Sequence, residues 1–370
     1  MSPAFLAETG VAVVLALLCS GCKPSLMADE TPINSVVFSK VRVIGSRGVG
    51  VGELNKPRSV AVDREDNLYV VDMTGRVQKF SPEGKPLLSW QLPQTDLGKP
   101  KGMCRDRDGN IIVVEPHYSR VNEYSPDGRL VLQWGRFGTN AGHLKFPRAV
   151  AVDSRGEVFV CEYGVVERVQ KFIFDPVHLA PAAGVSNLPP PGEGSGEGGL
   201  QYVAQTSGDP LPWSVRAPLD AASPRWLASY GEPGNGPGQF NRAEGLFVDN
   251  HDRLYVADSC NHRIQIFDTN GKFIRDYGHA GTGKGEMSYP YDVCVDVNGW
   301  QYVCEFGNSR IQIFDEQERP VEILGGPGAA PGCFNNPWGV ALDSHGDLYV
   351  ADSQNHRVQK FTRRQSLALK

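Results

Sequence analysis

From Pro57 onward, short apolar runs alternate with polar turns at a regular beat. Ser59-Val-Ala-Val62 and Leu68-Tyr-Val-Val71 are apolar on both faces and flank a turn rich in Asp and Asn, the pattern of strands buried between neighbouring sheets. Arg76-Val-Gln-Lys-Phe80 follows with period-two alternation, and Pro86-Leu-Leu-Ser-Trp90 ends the unit more loosely. The block then recurs. Its third strand reads RVQKF, RVNEY, RVQKF, RIQIF, RIQIF and RVQKF in order, and the Asp closing its first strand falls at 63, 106, 153, 249, 296 and 343. Six units of about 47 residues, each with four short strands, predict an all-β fold, a six-bladed β-propeller.

The last unit stops at Phe361 without a fourth strand, while an orphan strand, Lys40-Val-Arg-Val-Ile-Gly45, precedes the first unit. Pairing the two would close the ring and remove two exposed sheet edges. The propeller is therefore expected over 36–362, with a basic tail at 363–370. One interval between units is twice the usual length because residues 176–224, with 9 Pro and 7 Gly, are inserted between the third and fourth strands of blade three. In an antiparallel meander that connection emerges on the face opposite the blade-to-blade loops.

The wording of the units, GLFVDNHDRLYVADSCNHRIQIF and GVALDSHGDLYVADSQNHRVQKF, resembles the NHL-repeat family. The resemblance implies the propeller fold directly. It points to function less sharply, because such propellers serve as protein-binding platforms, as RNA-binding domains and, in a few cases, as lyases.

Composition adds a compartment and removes some functions. A net charge of −5 argues against a broad basic nucleic-acid face and disfavours the single-stranded RNA reading. The run Val11-Ala-Val-Val-Leu-Ala-Leu-Leu18 is too short to span a bilayer and fits the apolar region of a signal peptide over residues 1–21. Leu18-Cys-Ser-Gly-Cys22 behind it resembles a bacterial lipobox, although Cys19 stands where Leu or Val is usual and no Lys or Arg precedes the apolar run. The resemblance implies lipidation at Cys22, a tether over 22–35 and an exported, membrane-anchored protein, with a cytoplasmic location as the alternative.

Three sets of residues are candidates for chemistry. The first is a recurring acid that ends strand two with an Arg that opens strand three: Asp72 and Arg76, Glu115 and Arg120, Glu162 and Arg168, Asp258 and Arg263, Glu305 and Arg310, Asp352 and Arg357. One pair per blade across a tight hairpin reads as structural. The second is the six cysteines beyond Cys22. Cys104, Cys294, Cys161 and Cys304 take positions held by Ala in other blades, so they read as small buried residues, not as a metal or disulfide framework. The eight His residues fall mostly in repeat turns and offer no converging ligand set, so no metal and no cofactor is expected.

The third set varies from blade to blade. Directly after the Pro that begins each inner strand, or Ala243 in blade four, stand Arg58, Lys101, Arg148, Glu244, Tyr291 and Trp338. These side chains start at the rim of the axial channel on the loop face, with three cations on consecutive blades and Trp338 brought beside Arg58 by ring closure. They suit a carboxylate, phosphate or acidic glycan. Arg105 adds a cation in an inner-strand place otherwise filled by Val or Leu, with no evident partner. The expected function is a monomeric, non-catalytic binding platform for a protein, peptide or anionic small ligand. A lyase or lactonase with its centre at the channel is the alternative.

Overall fold

The computed structural model describes residues 30–174 and 224–365. Six sheets are arranged around an axis, and the innermost strands Ser59–Val62, Met103–Arg105, Pro147–Val152, Ala243–Val248, Pro290–Val295 and Pro337–Leu342 each contact the next around the ring. Every sheet is an antiparallel meander. The sixth is completed by Phe38–Ile44, which pairs antiparallel with Arg357–Arg363 from Phe38 opposite Arg363 to Ile44 opposite Val358. Ring closure by the N-terminal strand is thus observed, and the strand begins two residues earlier than the sequence pattern suggests. An additional short strand, Thr31–Pro32, lines its outer edge.

The recurring Asp is explained by its turn. In all six units one carboxylate oxygen accepts the N–H groups two and four residues on, as Asp63 does from Glu65 at 3.0 Å and Asn67 at 2.8 Å, which fixes the bend between strands one and two. The other oxygen receives a Tyr hydroxyl in four blades, from Tyr69, Tyr255, Tyr302 and Tyr349. Packing between blades is supplied by the strands that are apolar on both faces: Val70, Val113, Val160, Val256, Val303 and Val350 are wholly buried or nearly so.

The acid and Arg of each hairpin lie together in all six blades. Five of the acids also accept a backbone N–H from the loop that enters the blade, as Asp258 does from Asn241 at 2.8 Å. In blades three to six the guanidinium donates Nε to the acid and terminal nitrogens to carbonyls of the same loop; Arg357 reaches Asp352 at 2.7 Å, Ala330 at 2.9 Å and Cys333 at 3.0 Å, whereas in blade one Arg76 reaches Asp72 through Nη2 at 3.4 Å. A Gln two residues after the Arg repeats the device, so Gln359 binds both Gly332 and Cys333. These pairs clamp the blade-to-blade loops that form one face of the ring. Blade two departs: Asn122 replaces the Gln, and Arg120 instead reaches Gln94 at 2.8 Å.

Residues 176–223 of the insertion, Cys22 and the signal-peptide segment lie outside the described residues. The strands flanking the insertion pair normally, Ile173 opposite Arg225. The six described cysteines are free, and Cys161, Cys294 and Cys304 are buried.

Candidate functional site: the axial channel

The channel narrows at the loop face. Arg58, Lys101, Arg148, Glu244, Tyr291 and Trp338, read from six different units, all line one small cavity of about 30 Å³ there. The side chains nearly fill it. Arg148 is buried and bonds the equally buried Glu244, and Arg242 donates Nε to the same Glu244 oxygen at 2.5 Å. On the other side, Tyr291 stacks on Phe306 with centroids 4.3 Å apart and meets Trp338 edge-on at 5.0 Å.

Charge is unevenly matched around this ring. Glu244 serves two cations, whereas Arg58 and Lys101 have no carboxylate within ion-pair distance among the described residues. Both instead face the Trp338 ring, with Lys101 Nζ 4.2 Å and the Arg58 guanidinium carbon 4.9 Å from its centroid. Burial, with the charges of Arg148 and Arg58 added, pushes the Lys101 ammonium down to about 6. Burial and Arg148 likewise lower Arg58 to about 10. An anion entering this mouth would relieve both.

Sequence reasoning missed Asp292, which lies one residue beyond the ring. It lines both the narrow mouth and the wider channel below it, and its oxygens accept the N–H groups of Val293 and Val340, each at 3.0 Å. Burial raises its carboxyl to about 7. The signal was present: the equivalent residues are Ser59, Gly102, Ala149, Gly245 and Gly339, all small. Arg242, Phe306 and Tyr163, the last lying 4.2 Å under the Arg148 guanidinium, were missed because they come from loops outside the inner strands.

Below Asp292 the channel widens to about 400 Å³ and opens on the opposite face between the strand-one-to-two turns. Its walls are Val, Ala and Leu side chains of the inner strands, with Arg105, Asp296 and Asp343 at the rim. At this face Asp66, Asp343 and His345 bring potential ligand atoms within 4.8 Å of one another. Their oxygens are already engaged: Asp343 meets Lys360 at 3.1 Å, and Asp66 accepts from the Ser344 amide and hydroxyl at 2.8 and 2.7 Å.

Residues 240–267 and 334–361 match the NHL repeat model. The chain is a six-bladed β-propeller, and two of its repeating units match the NHL repeat. A 48-residue stretch of this propeller is 44% identical to the protein lin-41 of Caenorhabditis elegans, covering 13% of this chain and 4% of that protein. The solved structures similar to the propeller include a gluconolactonase from Xanthomonas campestris, with a TM-score of 0.55 and 14% identity over 93% of this chain and 100% of that one. They also include a catalytically inactive virginiamycin B lyase from Staphylococcus aureus with quinupristin, with a TM-score of 0.51 and 11% identity over 92% of this chain and 96% of that one. At these identities the likeness concerns the fold alone.

Proposed function

We propose that the NHL-repeat propeller is a non-catalytic binding module whose loop face recognises an anionic group, carboxylate or phosphate, carried by a protein or peptide. The observation that carries this reading is the pair Arg58 and Lys101: two partly buried basic groups over one indole, with no carboxylate within ion-pair distance among the described residues. Trp338, Tyr291 and Phe306 give the same mouth a rigid aromatic wall of the kind that anchors peptide side chains. The narrowness of the mouth supports recognition of an end or a side chain at the surface over engulfment of a whole small molecule. Display at a membrane surface through lipidated Cys22 completes the proposal and rests on the sequence around that residue.

The test is titration of the domain with an oligoglutamate peptide, followed by calorimetry. Replacing Arg58 and Lys101 together by Gln should raise Kd by about tenfold or more, as expected for loss of charge-assisted contacts, while the thermal melt stays close to that of the parent. Arg148 is left in place because it is buried and paired with Glu244, so its loss would disturb packing as well as charge. Unchanged affinity in the double variant would overturn the reading.

A further inference from the structure

The wide end of the channel holds a second feature that the loop-face reading does not use. Arg105 occupies the inner-strand position filled by Val62, Val152, Val248, Val295 and Leu342 in the other blades. Its side chain lines the 400 Å³ cavity, and its Nη1 is buried without a hydrogen-bond acceptor. Among the described residues no carboxylate lies within ion-pair distance of it. The acids at the same rim are committed elsewhere: Asp296 to Arg363 at 2.8 Å and Asp343 to Lys360 at 3.1 Å. One positive charge is therefore left unmatched at the mouth of an apolar tube. A guanidinium nitrogen removed from water and given no acceptor is costly, and a carboxylate is the group that satisfies it in two parallel bonds.

We propose that this cavity binds an amphipathic monocarboxylate, its carboxylate paired with Arg105 at the rim and its hydrocarbon tail running inward along the channel. The walls suit the tail. Val60, Val150, Leu246, Val340 and Ala341 present methyl groups from four blades, and a cavity of this size has room for on the order of a dozen water-sized groups, within the ordinary range of small-molecule sites. The inner end suits a tail as well. Asp292 closes the channel there with both oxygens already accepting backbone N–H groups, and burial keeps its carboxyl protonated up to about pH 7. Arg105 is the single cation among the residues lining this cavity, so the site takes one anionic group and not two. The ring at the other face plays no part in this binding.

Dodecanoate is the probe, titrated by calorimetry below its micellar range against the whole domain. The expected result is one-to-one binding that weakens about tenfold or more in Arg105→Met, a variant that places an unbranched apolar side chain where the other blades carry Val or Leu. Val62→Phe, which fills the tube, should abolish binding, and Lys101→Gln should leave it unchanged. Dodecanol, with the same tail and no charge, should bind at least tenfold more weakly than dodecanoate. The proposal is overturned if the parent protein does not bind dodecanoate, if Arg105→Met binds it equally well, or if dodecanol binds as tightly.

Discussion

The two ends of the axial channel are built from the same six strands and behave as opposites. At the loop face, side chains at the start of the inner strands are long, charged or aromatic, and they meet across the axis until about 30 Å³ is left. At the turn face the same strands present Val, Ala and Leu, which stop short of the axis and leave about 400 Å³. The difference shows that a propeller's channel is set by side-chain length at a few positions and not by its strand count. It also shows where charge is tolerated. At the loop face one acid, Glu244, balances Arg148 and Arg242, while Arg58 and Lys101 remain open to an incoming anion. At the turn face a single Arg105 stands against apolar walls.

Both ends depend on a closed ring, so the most damaging change is removal of the residues before Ser46. That deletion uncovers the positions packed against Phe38, Val41 and Ile44, all buried in the closed molecule. At about 1.5–3 kcal/mol per large buried side chain, the loss should exceed about 5 kcal/mol in a urea melt and abolish binding at both ends together. A truncated protein that melts like the parent would break the link between closure and the two mouths.

Next in size is a contrast between the ends. Glu244→Ala leaves Arg148 buried without its partner and should cost about 3–5 kcal/mol. Arg105→Val at the turn face removes a charge that has no partner and should be neutral or stabilising by about 1 kcal/mol. Paired denaturant curves check both; equal losses would erase the distinction drawn between a matched and an unmatched cation.

The finest contrast is in pH dependence, and here two groups lining the same narrow mouth pull in opposite directions. The Asp292 carboxyl ordinarily titrates at 3.8 and is raised to about 7, so over that window the folded state holds more protons than the unfolded one. Stability then falls as pH rises from about 4 to 7, and Asp292→Asn should flatten that slope. Lys101 ordinarily titrates at 10.5 and is lowered to about 6, so the unfolded state holds more protons across that window. Stability then rises with pH over the window, and Lys101→Met should remove the rise. Melts at about pH 5, 7 and 9 separate the two, and a variant that keeps the parent's slope removes its residue from the account.

Much of this architecture could be read from the chain before its coordinates. The six Asp residues are periodic because each turn needs one carboxylate oxygen to hold two amides, so the same residue recurs wherever the backbone bends the same way. The ring residues could be placed because the Pro before them fixes the register of each inner strand. The wide channel could not: Val60, Val150 and Leu246 facing an open tube have the same pattern as Val70 or Val256 packed in a core. Asp292 escaped because it stands among small residues whose common property is lack of size. Arg105 was visible as a misfit, but that it has no partner depends on where Asp296 and Asp343 send their oxygens. Those contacts run through Arg363 and Lys360 at the far end of the sequence.

The pairing of Phe38–Ile44 with Arg357–Arg363 also sets an order in time. During synthesis the first strand leaves the ribosome more than 300 residues before its partner exists. Until then the growing chain is an open arc, with the side of Phe38 and Val41 that will meet Phe361 and Tyr302 exposed to whatever the nascent chain encounters. A chaperone that shields one apolar strand at the start of the chain would therefore protect the whole ring, and a premature stop anywhere in the sixth unit would leave that strand with nothing to join.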